Sequence, residues 1–177
     1  AQAQTPALTE KEIIDLLTDY SKKSVFYEYD LVERIAKSGQ SENILRELEA
    51  KANNHQLRAR FYAIKAAVLY HEDVNPNPND NVLEEYRASE LVQSRILSLY
   101  SKAMNEAYMS GDDRLNLAMA QSELLGEAGQ LEEGWAMLED IALERPGDGV
   151  VLNAQCWYMG LWQYRLDSAE AVCDEAV

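Results

Sequence analysis

Apolar residues recur along most of this chain at the three- and four-residue spacing of an amphipathic α-helix. The pattern predicts nine helices, at about 9–20, 24–39, 41–54, 56–70, 82–110, 114–127, 131–145, 149–162 and 167–177. No segment is convincing as a strand, because few are rich in strand-forming residues. The fold class is therefore predicted to be all-α, with successive helices joined as antiparallel pairs by short turns.

Capping and turn residues mark where these helices begin and end. Thr9, followed by Glu12 three residues later, has the spacing of a capping box. Ser41 is expected to cap the third helix. An Asn- and Pro-rich segment at 72–82 is predicted to be an inserted loop, and Ser110–Asp113 is predicted to be a turn.

The last four helices repeat with a period of 34 residues. The segment Leu115–Asp148 has this length, and advancing by 34 places Ser122 on Cys156 and Leu125 on Met159. In the second helix of the pair the correspondence returns one residue late. The second copy stops before its final turn and proline.

This pattern resembles the tetratricopeptide repeat (TPR) family, in particular bacterial-type degenerate repeats with Cys-Trp in the first helix and Cys in the second. Ser122 stands where the family has a small residue, because the two helices of a repeat touch there. Gln121 in place of a leucine and Gly134 in place of an alanine depart from the family pattern. The resemblance is best over Leu115–Val177, and it implies a right-handed superhelix of antiparallel helix pairs, a TPR-like α-solenoid.

The chain is predicted to contain five segments. Residues 1–8 are expected to be a flexible N-terminal tail, and 9–55 to be N-terminal helices that form a cap or a degenerate repeat. Residues 56–113 are expected to be an irregular helix pair that contains the inserted loop. Residues 114–148 then form one TPR-like repeat, and 149–177 form an incomplete one.

The family resemblance implies a binding surface as well as a fold. In the family, the first helix of each pair lines a concave groove that takes extended peptides or partner helices. The positions of this chain that align with the groove are Asn116, Met119, Glu123, Asn153 and Trp157. An Asn amide can both donate to and accept from a ligand backbone, and Met and Trp side chains can supply apolar anchors. The alternative for Trp157 is packing on the next repeat, as is expected for Trp135, Trp162 and Tyr164.

The composition adds a strong negative charge. The 177 residues carry a formal net charge of −15, with a pI near 4.5. Such a surface repels phosphate backbones and anionic lipid headgroups, so nucleic acid is not expected as a partner. No apolar run approaches the roughly 20 residues of a membrane helix, so membrane insertion is not expected. The charge is explained either by solubility or by a basic partner protein.

The first residues, AQAQTPALTEKE, have small side chains at alternating positions, followed by a polar Thr-Pro segment. This pattern is typical of the sequence next to a signal-peptidase site. It predicts a periplasmic or secreted protein, with a cytoplasmic protein as the alternative. An oxidising compartment of this kind would permit disulfide bonds.

The two cysteines, Cys156 and Cys173, are equidistant from the turn at 163–165 between the last two helices. Residues placed in this way on antiparallel helices tend to face each other, so a disulfide that closes an 18-residue loop is one prediction. Two free thiols that fill a helix seam are the other. The sequence leaves both open.

No catalytic, metal or cofactor site is predicted. The loop from Asp73 to Glu84 has oxygen ligands at calcium-loop spacing, but Pro78 stands where such a loop requires glycine. His71 lies at a helix end, where a histidine suits the helix dipole. A catalytic pair of a cysteine with His55 or His71 would have to cross several repeats. The chain has no glycine-rich phosphate loop and no nucleophile elbow, so it is not expected to be an enzyme.

These observations predict a protein–protein interaction module, a scaffold or adaptor that binds a peptide or partner helix on the concave face of stacked helix pairs. The alternative is the repeat portion of a larger, exported enzyme whose catalytic domain is not in this chain. The incomplete second repeat leaves an apolar edge at the last helix. That edge favours the alternative, and it also predicts self-association through the uncapped C-terminal helix.

Overall fold

The structure is a computed structural model that describes residues 8–19, 29–73, 90–106 and 111–176. The helices in these ranges are α1 Glu10–Thr18, α2 Tyr29–Lys37, α3 Ser41–Lys51, α4 His55–Asp73, α5 Glu90–Asn105, α6 Gly111–Glu127, α7 Leu131–Glu144, α8 Gly149–Trp162 and α9 Leu166–Glu175. None of the four ranges contains a β-strand. The prediction of an all-α fold is therefore confirmed for the described part of the chain.

The predicted capping box at the start of α1 is confirmed. The Glu12 amide donates to Thr9 Oγ1 over 3.2 Å, and the Thr9 amide donates to the Glu12 carboxylate over 2.9 Å. The Thr9 hydroxyl also donates to the Glu12 carboxylate over 2.7 Å. This bond, the bond from the Thr9 amide and the Arg34 guanidinium at 3.3 Å lower the pKa of Glu12 to about 2. The Glu12 carboxylate is therefore charged at neutral pH, and α1 begins at a fixed place.

Two predicted helix ends are wrong. Gln40 occupies the N-cap position of α3 without a side-chain bond, and Ser41 is the first helical residue, with its hydroxyl bonded to Glu72. The predicted turn at Ser110–Asp113 is already helical from Gly111 onwards. Acidic residues are common both in turns and in the first turn of a helix, so the sequence did not separate these two cases.

Three predicted segments fall partly or largely outside the described ranges. Helix α4 continues through Asp73, so the first two residues of the predicted loop at 72–82 are helical, and the others lie outside. Of the long helix predicted at 82–110, the structure describes α5. Of the predicted tail at 1–8, it describes Leu8.

The described helices form two compact units, Ala1–Arg114 and Leu115–Val177. In the first unit, α4 packs against α1, α2, α3 and α5. Arg60 of α4 is buried, and its guanidinium donates to the carbonyl oxygens of Leu16 at 2.9 Å and Asp19 at 3.2 Å. These two acceptors lie at the C-terminal end of α1, where carbonyl groups lack partners within the helix, so Arg60 fastens α1 to the central helix.

In the second unit, α6 and α7 touch through small residues. Ser122 is fully buried, and its Oγ donates to the carbonyl oxygen of Gly134 over 2.7 Å. A Cβ atom at Gly134 would lie 2.9 Å from the carbonyl oxygen of Ser122, closer than a real Cβ atom approaches. The expectation that Ser122 lies where the two helices of the pair meet is therefore confirmed.

Trp162 packs the end of α8 against the contact between α6 and α7. A Cβ atom at Gly126 of α6 would lie 2.1 Å from the Trp162 ring, so the ring occupies the space that the glycine leaves. Trp162 stacks on Tyr158 with ring centroids 4.8 Å apart, beside a buried cluster of Trp135, Leu138, Tyr158 and Met159. Trp135, Trp162 and Tyr164 all belong to or pack on this cluster, as expected.

The turn between α8 and α9 is anchored on α7. Gln163 and Arg165 have left-handed φ angles of 51° and 53°, which L-residues adopt at a cost of order 1 kcal/mol each. The Arg165 guanidinium lies 5.4 Å from the centroid of the Trp135 ring and 2.9 Å from Glu139. Trp135 Nε1 also donates to Glu139 over 2.7 Å. This network offsets the strain and fixes where α9 begins.

Cys156 of α8 and Cys173 of α9 form a disulfide, with their Cα atoms 4.9 Å apart. Of the two alternatives that the sequence left open, the structure has the bridge. No residue of α9 is buried, and its inner side is formed by the half-buried residues Ala169, Val172, Cys173 and Ala176. The bridge is therefore the strongest single link between α9 and the rest of the unit.

We expect Gly126→Ala to lower the free energy of unfolding by about 1–3 kcal/mol, because the added methyl group overlaps the Trp162 ring. Gly160→Ala is the matched control, since a Cβ atom there meets nothing within 4 Å. Alanine also favours helix over glycine, so the control should be neutral or stabilising by up to about 1 kcal/mol. Urea unfolding measures both, and equal midpoints for Gly126→Ala and the unsubstituted protein would contradict the packing described.

We expect the double variant Cys156→Ala/Cys173→Ala to lose up to about 3 kcal/mol of stability, because an 18-residue loop is no longer closed in the unfolded chain. Hydrogen exchange should show α9 opening in the variant, while α7 keeps its protection. Reduction of the unsubstituted protein by a dithiol should reproduce the effect. Equal protection of α9 with and without the bridge would show that packing alone holds the helix.

Candidate partner-binding surface

One side of α8 is uncovered. Val150, Asn153, Trp157 and Leu161 follow one another at helical spacing and form a single row, which is called the α8 face below. Of these side chains, Val150 is 55% exposed, Trp157 65% and Leu161 48%. Asn153 is exposed as well. The face is therefore an apolar row with one amide in it.

The local sequence explains why α8 begins where it does. Asp148 caps the helix by accepting a hydrogen bond from the Val150 amide over 2.9 Å. Arg145 lies 3.3 Å from Asp148 and fixes the capping carboxylate. The side of α8 opposite the face is buried through Val151, Gln155, Tyr158 and Met159.

Helix α8 contains no charged residue. A helix that is apolar on all sides is normally buried on all sides. Here one side packs on the cluster around Trp135 and the other side meets solvent. An exposed apolar row of this kind is the usual mark of a contact surface.

Glu123 of α6 lies on one flank of the α8 face. Tyr158 follows Trp157 in sequence, and its hydroxyl donates a hydrogen bond to the Glu123 carboxylate. Much of the Glu123 side chain is open to solvent, but its carboxyl group lies against neighbouring protein groups. This burial raises the pKa of Glu123, and the bond from Tyr158 offsets only part of the effect.

Helix α9 lies on the other flank. The disulfide joins Cys156 to Cys173, so the sides of α8 and α9 that bear the cysteines face each other. Leu166 and Glu170 are seven and three residues before Cys173, on the same side of α9, and both are exposed. The α8 face is therefore bordered by carboxylates on both flanks, from α6 and from α9.

The residues that the family resemblance singled out fall into two groups. Glu123, Asn153 and Trp157 are exposed, on or beside the α8 face. Asn116 and Met119 are half-buried, and Met119 packs on the cluster around Trp135. Met119 therefore contributes to the core of the unit more than to its surface.

Sequence reasoning missed two members of the row. Val150 and Leu161 stand seven residues before and four residues after Trp157, so helical spacing places them on its face. The absence of charge from 149–162 was the second signal. The repeat alignment points to core positions and to single groove positions, so it does not single out this row.

A cluster of charged side chains in the first unit joins two helices. His55 Nδ1 lies 2.6 Å from Glu106 Oε2, and Arg58 Nε lies 3.1 Å from Glu106 Oε1. Glu106 directly follows α5, and His55 and Arg58 belong to the first turn of α4. The cluster therefore fastens the start of α4 to the end of α5. Hydrogen bonds from His55 and Arg58 lower the pKa of Glu106.

A cavity of about 200 Å³ lies between α1 and α3. Its walls include Leu8, Ile13, Ile44 and Glu47. Sites for small organic ligands are usually about 300–1,000 Å³. The cavity is smaller than that range, and the α8 face remains the better candidate.

The described ranges contain both cysteines, both histidines and many of the carboxylates of the chain. Within these ranges, no group of three or more His, Cys, Asp or Glu side chains could hold a metal ion. The candidate calcium loop after Asp73 lies outside them. Both cysteines are bonded to each other, so neither supplies a thiol. No helix in the described ranges is both long enough and apolar enough to span a bilayer.

Comparison with protein-family models, with curated proteins and with solved structures yields no match for this chain.

We expect Glu123 to titrate above its ordinary pKa of 4.5, because burial disfavours its charged form. A raised folded-state pKa stabilises the fold below the unfolded-state pKa, and this contribution is lost as the pH rises through the folded-state value. Glu123→Gln should therefore remove that part of the pH dependence. Tyr158→Phe should raise the pKa further, since the hydrogen bond that favours the charged form is gone. Carbon-13 NMR of the carboxyl group measures this, and titration at or below 4.5 would contradict it.

Proposed function

We propose that this protein is a protein–protein interaction module, a scaffold or adaptor whose α8 face binds a peptide or helix of a partner. The observation that supports the proposal is the exposed apolar row of an uncharged helix. Single exposed apolar residues are common on soluble proteins, but a row of them on one helix face is a patch. The module acts by binding and needs no cofactor of its own.

Trp157 is the main anchor of this surface. It is the most exposed of the three apolar residues in the row, at 65%. Tryptophan residues at the centre of an interface often supply much of the binding energy, because they bury a large apolar area at a small cost in side-chain entropy. Asn153, one turn earlier, can donate to and accept from the partner.

We also propose that the second unit is a TPR-like α-solenoid, with helix pairs stacked in a right-handed superhelix. The close contact of Ser122 with Gly134 supports this, since the family has small residues where the two helices of a pair touch. The starts of the second helices of the two pairs support it as well. Helix α9 begins at Leu166, 35 residues after Leu131, which is the period of 34 with the one-residue delay that the alignment requires.

The proposed location is the periplasm or the outside of the cell. Disulfides persist in oxidising compartments and are rare in the cytosol. The bridge between Cys156 and Cys173 fits such a compartment. The negative charge of the chain disfavours nucleic acid and anionic membranes as partners, so the partner is a protein.

We expect the double variant Asn153→Ala/Trp157→Ala to lose partner capture by a factor of about 10 or more. Both side chains are exposed, so the melting temperature should stay within about 2–3 °C of the unsubstituted value. The test is a pull-down from the native source with quantitative mass spectrometry, comparing the protein with its variant.

Leu143→Ala is the matched control for this pull-down, because Leu143 is a large apolar residue that is 81% exposed on α7. The control should retain every partner that the unsubstituted protein captures. Partners that bind the double variant as well as the control would show that the α8 face is not the binding site.

A further inference from the structure

The charges around the α8 face are almost all of one sign. Twelve acidic residues and two arginines lie between Leu115 and Val177. Both arginines have carboxylate neighbours: Arg145 lies 3.3 Å from Asp148, and Arg165 lies 2.9 Å from Glu139. Neither α8 nor α9 contains a lysine or an arginine. A ligand on the α8 face therefore meets carboxylates and no cationic group of either helix.

Exposed carboxylates lie on α9, the helix that the disulfide joins to α8. Glu170 and Asp174 are four residues apart on α9, and both are exposed. On α8, Gly160 stands four residues after Cys156, and a Cβ atom there would meet nothing within 4 Å. The surface above the disulfide is thus open, with no side chain of Gly160 between the α8 face and α9.

The dimensions of the face fit a helix. Val150 and Leu161 are 11 residues apart, so the row extends about 16 Å along α8, which is about three helical turns. A single row on the surface of one helix offers few backbone groups to pair with an extended strand. A partner helix satisfies its own backbone hydrogen bonds and needs only apolar contacts on one side.

We propose that the α8 face binds a basic amphipathic helix of another protein. Its apolar side lies on Val150, Trp157 and Leu161, and its lysines or arginines pair with Glu123 on one flank and with Glu170 and Asp174 on the other. This inference rests on the proposed function and names the chemistry of the partner. A second copy of this chain fits less well, because it would bring two sets of carboxylates together.

The test uses a fluorescent synthetic peptide of about 18 residues, with leucine on one helical face and lysine on the other. Three matched peptides replace lysine by glutamine, replace lysine by glutamate, or keep the composition of the first peptide in a scrambled order. Fluorescence anisotropy with the full chain measures binding. The basic amphipathic peptide should bind at least about 10-fold more tightly than each of the others, and added salt should weaken it.

Two variants locate the binding site. Trp157→Ala/Leu161→Ala removes the apolar anchors, and Glu170→Lys/Asp174→Lys reverses the charges on one flank. Each should weaken the basic peptide by about 10-fold or more. The matched control is Glu132→Lys/Glu133→Lys, an exposed acidic pair at the start of α7. The control should change the affinity by less than about 3-fold, since α7 is not one of the two helices, α6 and α9, whose carboxylates flank the α8 face.

The outcomes separate the inference from the proposed function. If the glutamine peptide binds as tightly as the lysine peptide and both still need Trp157, the partner need not be basic. That result would overturn the inference and keep the α8 face as a binding surface. If the scrambled peptide binds as tightly as the basic amphipathic peptide, the binding is general charge attraction and the inference is overturned. The same holds if the α9 variant and its control lose equal affinity. Absence of binding by the basic peptide would overturn it too, and the pull-down would then decide the proposed function separately.

Discussion

The second unit depends on the packing of the Trp162 ring against α6 and α7. The ring occupies the space beside Gly126 and Gly134, at the point where Ser122 bonds to the carbonyl of Gly134. Glycines leave this space at some cost to helix stability, and a large aromatic ring fills it. Because the ring fixes how α8 is turned about its own axis, it also fixes which side of α8 meets solvent. Trp162 packs on α6 and α7, and Trp157, five residues earlier on α8, lies on the exposed side.

Much of this fold could be predicted from the sequence, because periodicity and small residues report directly on packing. The all-α class, the capping box at Thr9 and the buried position of Ser122 all followed from local patterns. The start of α6 did not, since acidic residues suit a turn and a helix start equally well. The role of Arg60 was not predictable either, because its partners lie more than 40 residues away in sequence.

The candidate site was predictable in part. Spacing placed Asn153 and Trp157 on one face, but the extent of the row depends on which side of an uncharged helix is covered, and only tertiary packing decides that. The two cysteines are equidistant from the turn, which left a disulfide and two free thiols as alternatives, and the structure has the disulfide. In the structure, the bridge holds the carboxylates of α9 beside the apolar row, so one covalent link serves both stability and the charge of the surface.

Trp157 lies in solvent, while Trp135 is buried and Trp162 is half-buried against the same cluster. Fluorine NMR of the protein labelled with 5-fluorotryptophan tests this arrangement directly, with the signals assigned by Trp157→Phe. We expect the Trp157 signal to show the largest shift between light and heavy water and to move when the basic helix is added. A Trp157 signal as protected from solvent as that of Trp162 would contradict it.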